Sequence, residues 1–189
     1  MAYGLRPVMR AGARSQNGGF VKVQIENDEK ANAIYNGSPV FYTVSASANA
    51  YGLKKNEAPT DQAAALSCGV LVGATWENAS GEQKWGNYYD GTGVNDKSFA
   101  FIAPADSYLF QVQGNASFAD DQVGFKHLLS GSGGTDTGVS NLVAVNTAAN
   151  GSDAILINVG VVDNENSTSS TPDILVRFAA AGIQTTPLF

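Results

Sequence analysis

The feature that most constrains this chain is its punctuation. From residue 20 to residue 178, short β-prone segments alternate with clusters of Gly, Asn, Asp and Ser, and no stretch sustains a helical period. Phe20-Val-Lys-Val-Gln-Ile25 alternates apolar and polar side chains, as a half-buried strand does. Ala33 to Val44 places an Asn36-Gly37 turn before a second β-rich run, with Pro39 suited to a strand start. Gly69 to Trp76 and Gln83 to Tyr89 flank a polar, Gly-containing loop and read as a hairpin carrying both tryptophans. With Ser98–Ile102, Tyr108–Gln113, Ser140–Val145, Ala154–Val162 and Ile174–Phe178, the count reaches about nine strands, the pattern of a sandwich or barrel. Short helical turns are expected only near Thr60-Asp61 and around Phe118–Val123. The expected fold is all-β: a single β-sandwich or barrel-like domain over residues 20–189, preceded by an extended basic N-terminal arm, residues 1–19.

Composition narrows the partners. A chain of 189 residues with 43% hydrophobic content can bury a core. A formal net charge of -6 argues against nucleic acid, because phosphate binding needs a concentrated basic surface. Cys68 is the one cysteine, so no internal disulfide forms, and its setting in Leu66-Ser-Cys-Gly-Val-Leu-Val72 suits a small packed hydrophobe. The start of the chain shows no apolar stretch of roughly 7–15 residues, so no secretory signal is expected. Nor is there a run of about 18 apolar residues, so no membrane partner is expected.

Little in the sequence points to bond chemistry. A Ser-His-Asp triad would have to use His127, which beside Lys126 reads as a surface residue, and no G-x-S-x-G elbow is present. Ser130-Gly-Ser-Gly-Gly-Thr-Asp-Thr-Gly138 lacks the Gly-Lys-Ser/Thr ending of a phosphate loop and reads as an exposed loop or linker. Asp120-Asp121 and Asp163/Glu165 lack the ligand spacing of a calcium loop. No enzyme activity, cofactor or metal is expected.

The N-terminal segment differs electrically from the rest. Arg6, Arg10, Arg14 and Lys22 all precede the first carboxylate, Glu26. A segment rich in Gly, Ala, Ser and Asn, such as Arg10 to Gly19, lacks the apolar surface to fold on itself. Tyr3, Leu5, Pro7 and Val8 are side chains that a purely solvated tail does not need.

Ala2-Tyr-Gly-Leu-Arg-Pro7, the strand near residue 20 and Ala33-Ile-Tyr-Asn-Gly-Ser-Pro-Val40 together resemble the start of a family of tailed-bacteriophage head proteins, the capsid decoration or cement proteins. Cys68 to Trp76, Trp85-Gly-Asn-Tyr-Tyr89, Tyr108 to Gln113 and Ile155 to Asp163 agree in order. The polar stretch 45–65 and the Ser/Thr-rich loop before Pro172 depart from the family pattern. The resemblance implies a virion structural protein on the outer face of the capsid, made in the host cytoplasm, that binds across subunits of the major capsid protein. It also implies self-association, a trimer first and a dimer second. In that reading Tyr3 and Leu5 are apolar anchors of a capsid-contact arm, Arg6 pairs with a shell carboxylate, Pro7 limits the entropy lost on docking, and Arg10 and Arg14 add salt-sensitive contacts. The alternative is a carbohydrate-binding or host-surface adhesion module that displays Trp76, Trp85, Tyr88 and Tyr89 as a stacking platform.

Overall fold

A computed structural model describes residues 2–10, 19–44, 51–55, 67–94, 97–118, 122–131, 133–134, 137–146, 154–162 and 170–179. The described residues form thirteen strands and one 3-10 turn. In chain order these are β1 (Arg6–Arg10), β2 (Val21–Gln24), the 3-10 turn Asn27–Glu29, β3 (Pro39–Val44), β4 (Tyr51–Lys55), β5 (Gly69–Glu77), β6 (Gln83–Gly86) and β7 (Phe99–Pro104). They continue with β8 (Tyr108–Gln113), β9 (Lys126–His127), β10 (Leu129–Ser130), β11 (Val143–Ala144), β12 (Leu156–Val162) and β13 (Asp173–Phe178). The protein is all-β, as the alternation predicts.

Two main sheets carry the fold. The first has the order β1-β8-β13-β12-β9, and the second β2-β7-β5-β3-β4, with β6 also pairing β5. Every pairing between these strands is antiparallel. The apolar run of β5 is nearly continuous because both of its faces are covered. Val70 joins Leu5, Phe110, Val112, Ile155, Ile174, Val176 and Phe178 in a core against the first sheet. Leu71, Ala74 and Trp76 join Ile25, Ile34, Val40, Leu53, Tyr89 and Ile102 in a second core. Alternation sends Val70 to one core and Leu71 to the other, and the shift in the β5–β7 register between Leu71 and Gly73 returns Ala74 and Trp76 to the Leu71 face. Burying each large aliphatic side chain contributes roughly 1.5–3 kcal/mol.

The second sheet curls until its outer strands touch. A parallel bridge joins Ile25, just past β2, to Leu53 of β4, and the Glu26 N–H donates to the Leu53 carbonyl at 3.1 Å. Gly52 makes the closure possible, since a Cβ there would lie 2.5 Å from the Glu26 Cα. Glu26 then sits buried with its carboxylate 3.6 Å from the Lys54 ammonium. The second core is thus the interior of a small, partly closed barrel, and the first is the layer between that barrel and the other sheet.

Four strands lie outside the sequence expectation: β1, β4 and the two-residue β9 and β10, which are too short to show a period. β1 falls in the segment read as an arm, and β4 falls in the polar stretch 45–65, where Gly, Leu and two lysines gave no alternation to read. The expected helical turn near Thr60 lies outside the described residues, as do residues 119–121 of the one around 118–123.

Candidate functional site

The N-terminal residues are not a projecting arm over 2–10. Leu5 is fully buried and Tyr3 is 8% exposed, both inside this chain's own fold. β1 pairs antiparallel with β8, Arg6 opposite Gln111 and Arg10 opposite Tyr108. Leu5 donates its N–H to the Gly37 carbonyl at 2.9 Å. Gly4 and Gly37, with φ of 67° and 87°, hold the left-handed backbone that brings the two segments together. A Cβ on Gly4 would meet Ser140 Cβ at 2.7 Å, and one on Gly37 would meet the Tyr3 carbonyl at 2.8 Å.

The anchor roles expected for Tyr3 and Leu5 in a neighbouring protein are corrected by this placement, because burying them at home yields more than leaving them in water until a partner arrives. Arg6 is exposed and lies over the Tyr3 ring, 3.9 Å from its centre. Beneath that pair Gln111 donates to the buried Asp173 at 2.8 Å. Burial pushes the Tyr3 hydroxyl far above its ordinary range, and the neighbouring Asp173 adds to the shift. Pro7 is half-buried opposite Phe110, and a register shift at Val8 kinks the strand. Arg14 lies outside the described residues.

Asn36, at the turn between β2 and β3, ties three further segments together. Its side-chain amide donates to the carbonyls of Val72 and Asn87 at 3.1 and 3.0 Å. Its backbone bonds to Gly138 and Ser140. Gly138, at the end of the stretch read as an exposed loop or linker, is thus held against this turn. Tyr35 and Tyr88 stack with ring centres 6.1 Å apart, and Gly134 and Gly138 press so closely on the two rings that a side chain at either would collide with them.

The aromatic platform is not assembled. Trp76 and Tyr89 are buried against each other edge to face, 5.6 Å between ring centres, while Tyr88 is half-buried in its stack. Trp85 alone of the four stands out, 86% exposed on β6. Period-2 alternation separates Trp76 from Trp85 once the hairpin register is known: Thr75 opposes Trp85, so Trp76 faces inward.

His127 is fully buried, contrary to the surface reading. Its Nδ1 lies 3.0 Å from the Val145 carbonyl, which can only accept, so Nδ1 carries the hydrogen, and its ring meets Phe118 edge-on at 5.0 Å. β9 pairs with β12, and the inward parity of that short strand puts the imidazole in the core. Cys68 is buried with its sulfur 3.3 Å from the Val40 carbonyl, and burial pushes its thiol well above the ordinary range. Asp120, Asp121, Asp163 and Glu165 lie outside the described residues. Among the described residues, no group of three or more His, Cys, Asp or Glu side chains is arranged to hold a metal ion.

No family model matches the chain, and no curated protein or solved structure matches it either.

Proposed function

We propose that this protein is a structural component of a tailed-bacteriophage particle, which decorates the capsid and cements it by binding across major capsid protein subunits without bond chemistry. One observation carries the reading. The two segments on which the resemblance chiefly rests, 2–7 and 33–40, are distant in sequence yet meet at a single joint, through the Leu5–Gly37 hydrogen bond and the mutual clearance of Gly4 and Gly37. That the two motifs build one joint is what supports reading them as parts of one architecture.

The contact surface in this reading differs from an arm that orders on docking. Tyr3 and Leu5 shape the edge of the first sheet from inside, and Arg6 and Val8 are what that edge presents to a partner. The test is co-sedimentation of the full-length protein with capsid shells that lack it, at low and high salt. Saturable binding supports the proposal, and Arg6→Ala should weaken it most at low salt, where an exposed charge is least screened. Absence of binding under all conditions refutes it. The carbohydrate reading retains only Trp85 as a stacking face, and a Trp85 emission shift with oligosaccharides would favour it over the shell.

A further inference from the structure

We infer that the open edge of β6 is a two-fold interface at which a second copy of this chain continues the sheet. This goes beyond the capsid reading and does not depend on it.

The edges at β1, β2 and β4 are managed. β2 and β4 are bridged to each other through Ile25 and Leu53. The β1 edge carries three devices that discourage strand addition: Pro7 with no N–H, a register shift at Val8, and the exposed Arg6 cation. β6 has neither a proline nor a register shift, and its one cation, Lys84, lies two residues from the carboxylate of Glu82. It pairs with β5 on one side, and among the described residues no strand pairs with the other.

Hydrogen-bond parity defines what that edge offers. The Asn78 N–H donates to the Glu82 carbonyl at 3.0 Å, closing the hairpin. Antiparallel alternation from that pair turns the backbone of Lys84 and Gly86 toward β5, and turns the N–H and C=O of Gln83 and Trp85 outward. An edge with free backbone groups beside a tryptophan 86% exposed is built for strand addition.

Charge and shape select the occupant and the register. Glu82 and Lys84 lie two residues apart on one side of the hairpin arm, with side chains 66% and 42% exposed; within one chain they lie 3.8 Å apart, and the Asn78 amide donates to Glu82 at 3.0 Å. An antiparallel copy centred on Gln83 sets Glu82 of each chain opposite Lys84 of the other, so that two cross-strand ion pairs take over from the exposed pair within each chain. The same register pairs the Gln83 backbones reciprocally and sets each Trp85 opposite Gly81 of the other copy. Each indole then lies over Gly81, around whose Cβ position there is no atom within 4 Å. A centre on Lys84 would oppose like charges. Self-complementarity of this kind is what an isologous two-fold contact requires.

The experiment is sedimentation equilibrium on the full chain, with wild type expected to move from 19.6 kDa toward twice that mass as concentration rises. Gln83→Pro removes an outward N–H and leaves the β5 ladder its bonds, so it should abolish the dimer with the circular dichroism spectrum unchanged. Lys84→Glu alone and Glu82→Lys alone should each be monomeric, and their equimolar mixture should dimerise again, because the mixed pair restores both ion pairs. The mixture controls for folding, since neither variant would recover if it were unfolded. A wild type that stays monomeric, or a dimer indifferent to Gln83→Pro and to the charge reversals, overturns the inference.

Discussion

The N–H of Leu5 donates to the carbonyl of Gly37 at 2.9 Å, and this bond fastens the first strand of the chain to the turn that begins the third. Leu5 then drops into the core between the sheets while Arg6 turns outward, so one dipeptide divides the inside from the outside of the molecule.

The first prediction follows from that joint. Gly37→Ala forces an L side chain into φ of 87° and drives a Cβ to 2.8 Å from the Tyr3 carbonyl. The conformational cost alone is about 1–2 kcal/mol, and the collision adds to it. Urea denaturation should show a lower midpoint, and an unchanged midpoint would mean that the joint is not formed in solution.

Leu5→Ala should destabilise the protein by about 2–5 kcal/mol, the range for deleting a fully buried leucine. A solvated arm would lose almost nothing. Amide exchange gives an independent readout: β1 amides bonded to β8 should be protected in the wild type and exchange faster in the variant.

Glu29 supplies a pH prediction. Burial raises its carboxyl above the ordinary value of 4.5, with Lys55 and Asn32 opposing the shift. The folded state therefore binds this proton more tightly than the unfolded chain does. Its favourable contribution is complete below 4.5 and is lost as pH rises through the raised folded value. Glu29→Gln should raise the melting temperature at neutral pH, and that gain should disappear in acid below 4.5. A Tm gain that is the same at both pH values would contradict the assignment.

The two tryptophans should behave oppositely. Trp76→Ala removes a buried ring and should cost about 3–5 kcal/mol, whereas Trp85→Ala should lie within about 0.5 kcal/mol of wild type in the monomer. Iodide should quench the Trp85 emission of the monomer strongly and that of Trp76 weakly, measured on the two single-tryptophan variants. Equal quenching would place both indoles in the same environment.

Much of the fold was legible in the chain. Alternation in Phe20–Ile25, the β-branched run of Ala154–Val162 and the Gly-containing loop between Trp76 and Trp85 each mark a strand or hairpin locally, because strand geometry repeats every two residues and turns need particular backbone angles. The site was less legible. Tyr3 and Leu5 announce that the N-terminal segment covers something, and nothing local says whether the surface belongs to this chain or another. His127 looked exposed beside Lys126, since two adjacent residues of a strand point to opposite faces and a two-residue strand has no period to read.

The sequence by itself determined the all-β class, the places where the chain turns and the placement of Cys68 in an apolar run, all consequences of short-range backbone preference and local hydrophobic pattern. Only the tertiary structure decided that Gly4 meets Gly37, that β2 closes on β4 over Gly52, that Trp76 is core while Trp85 is surface, and that β6 keeps an open edge. Those are relations between segments far apart in the chain. They depend on register and on which surfaces find cover, and burial is a property of the assembled whole rather than of any window along it.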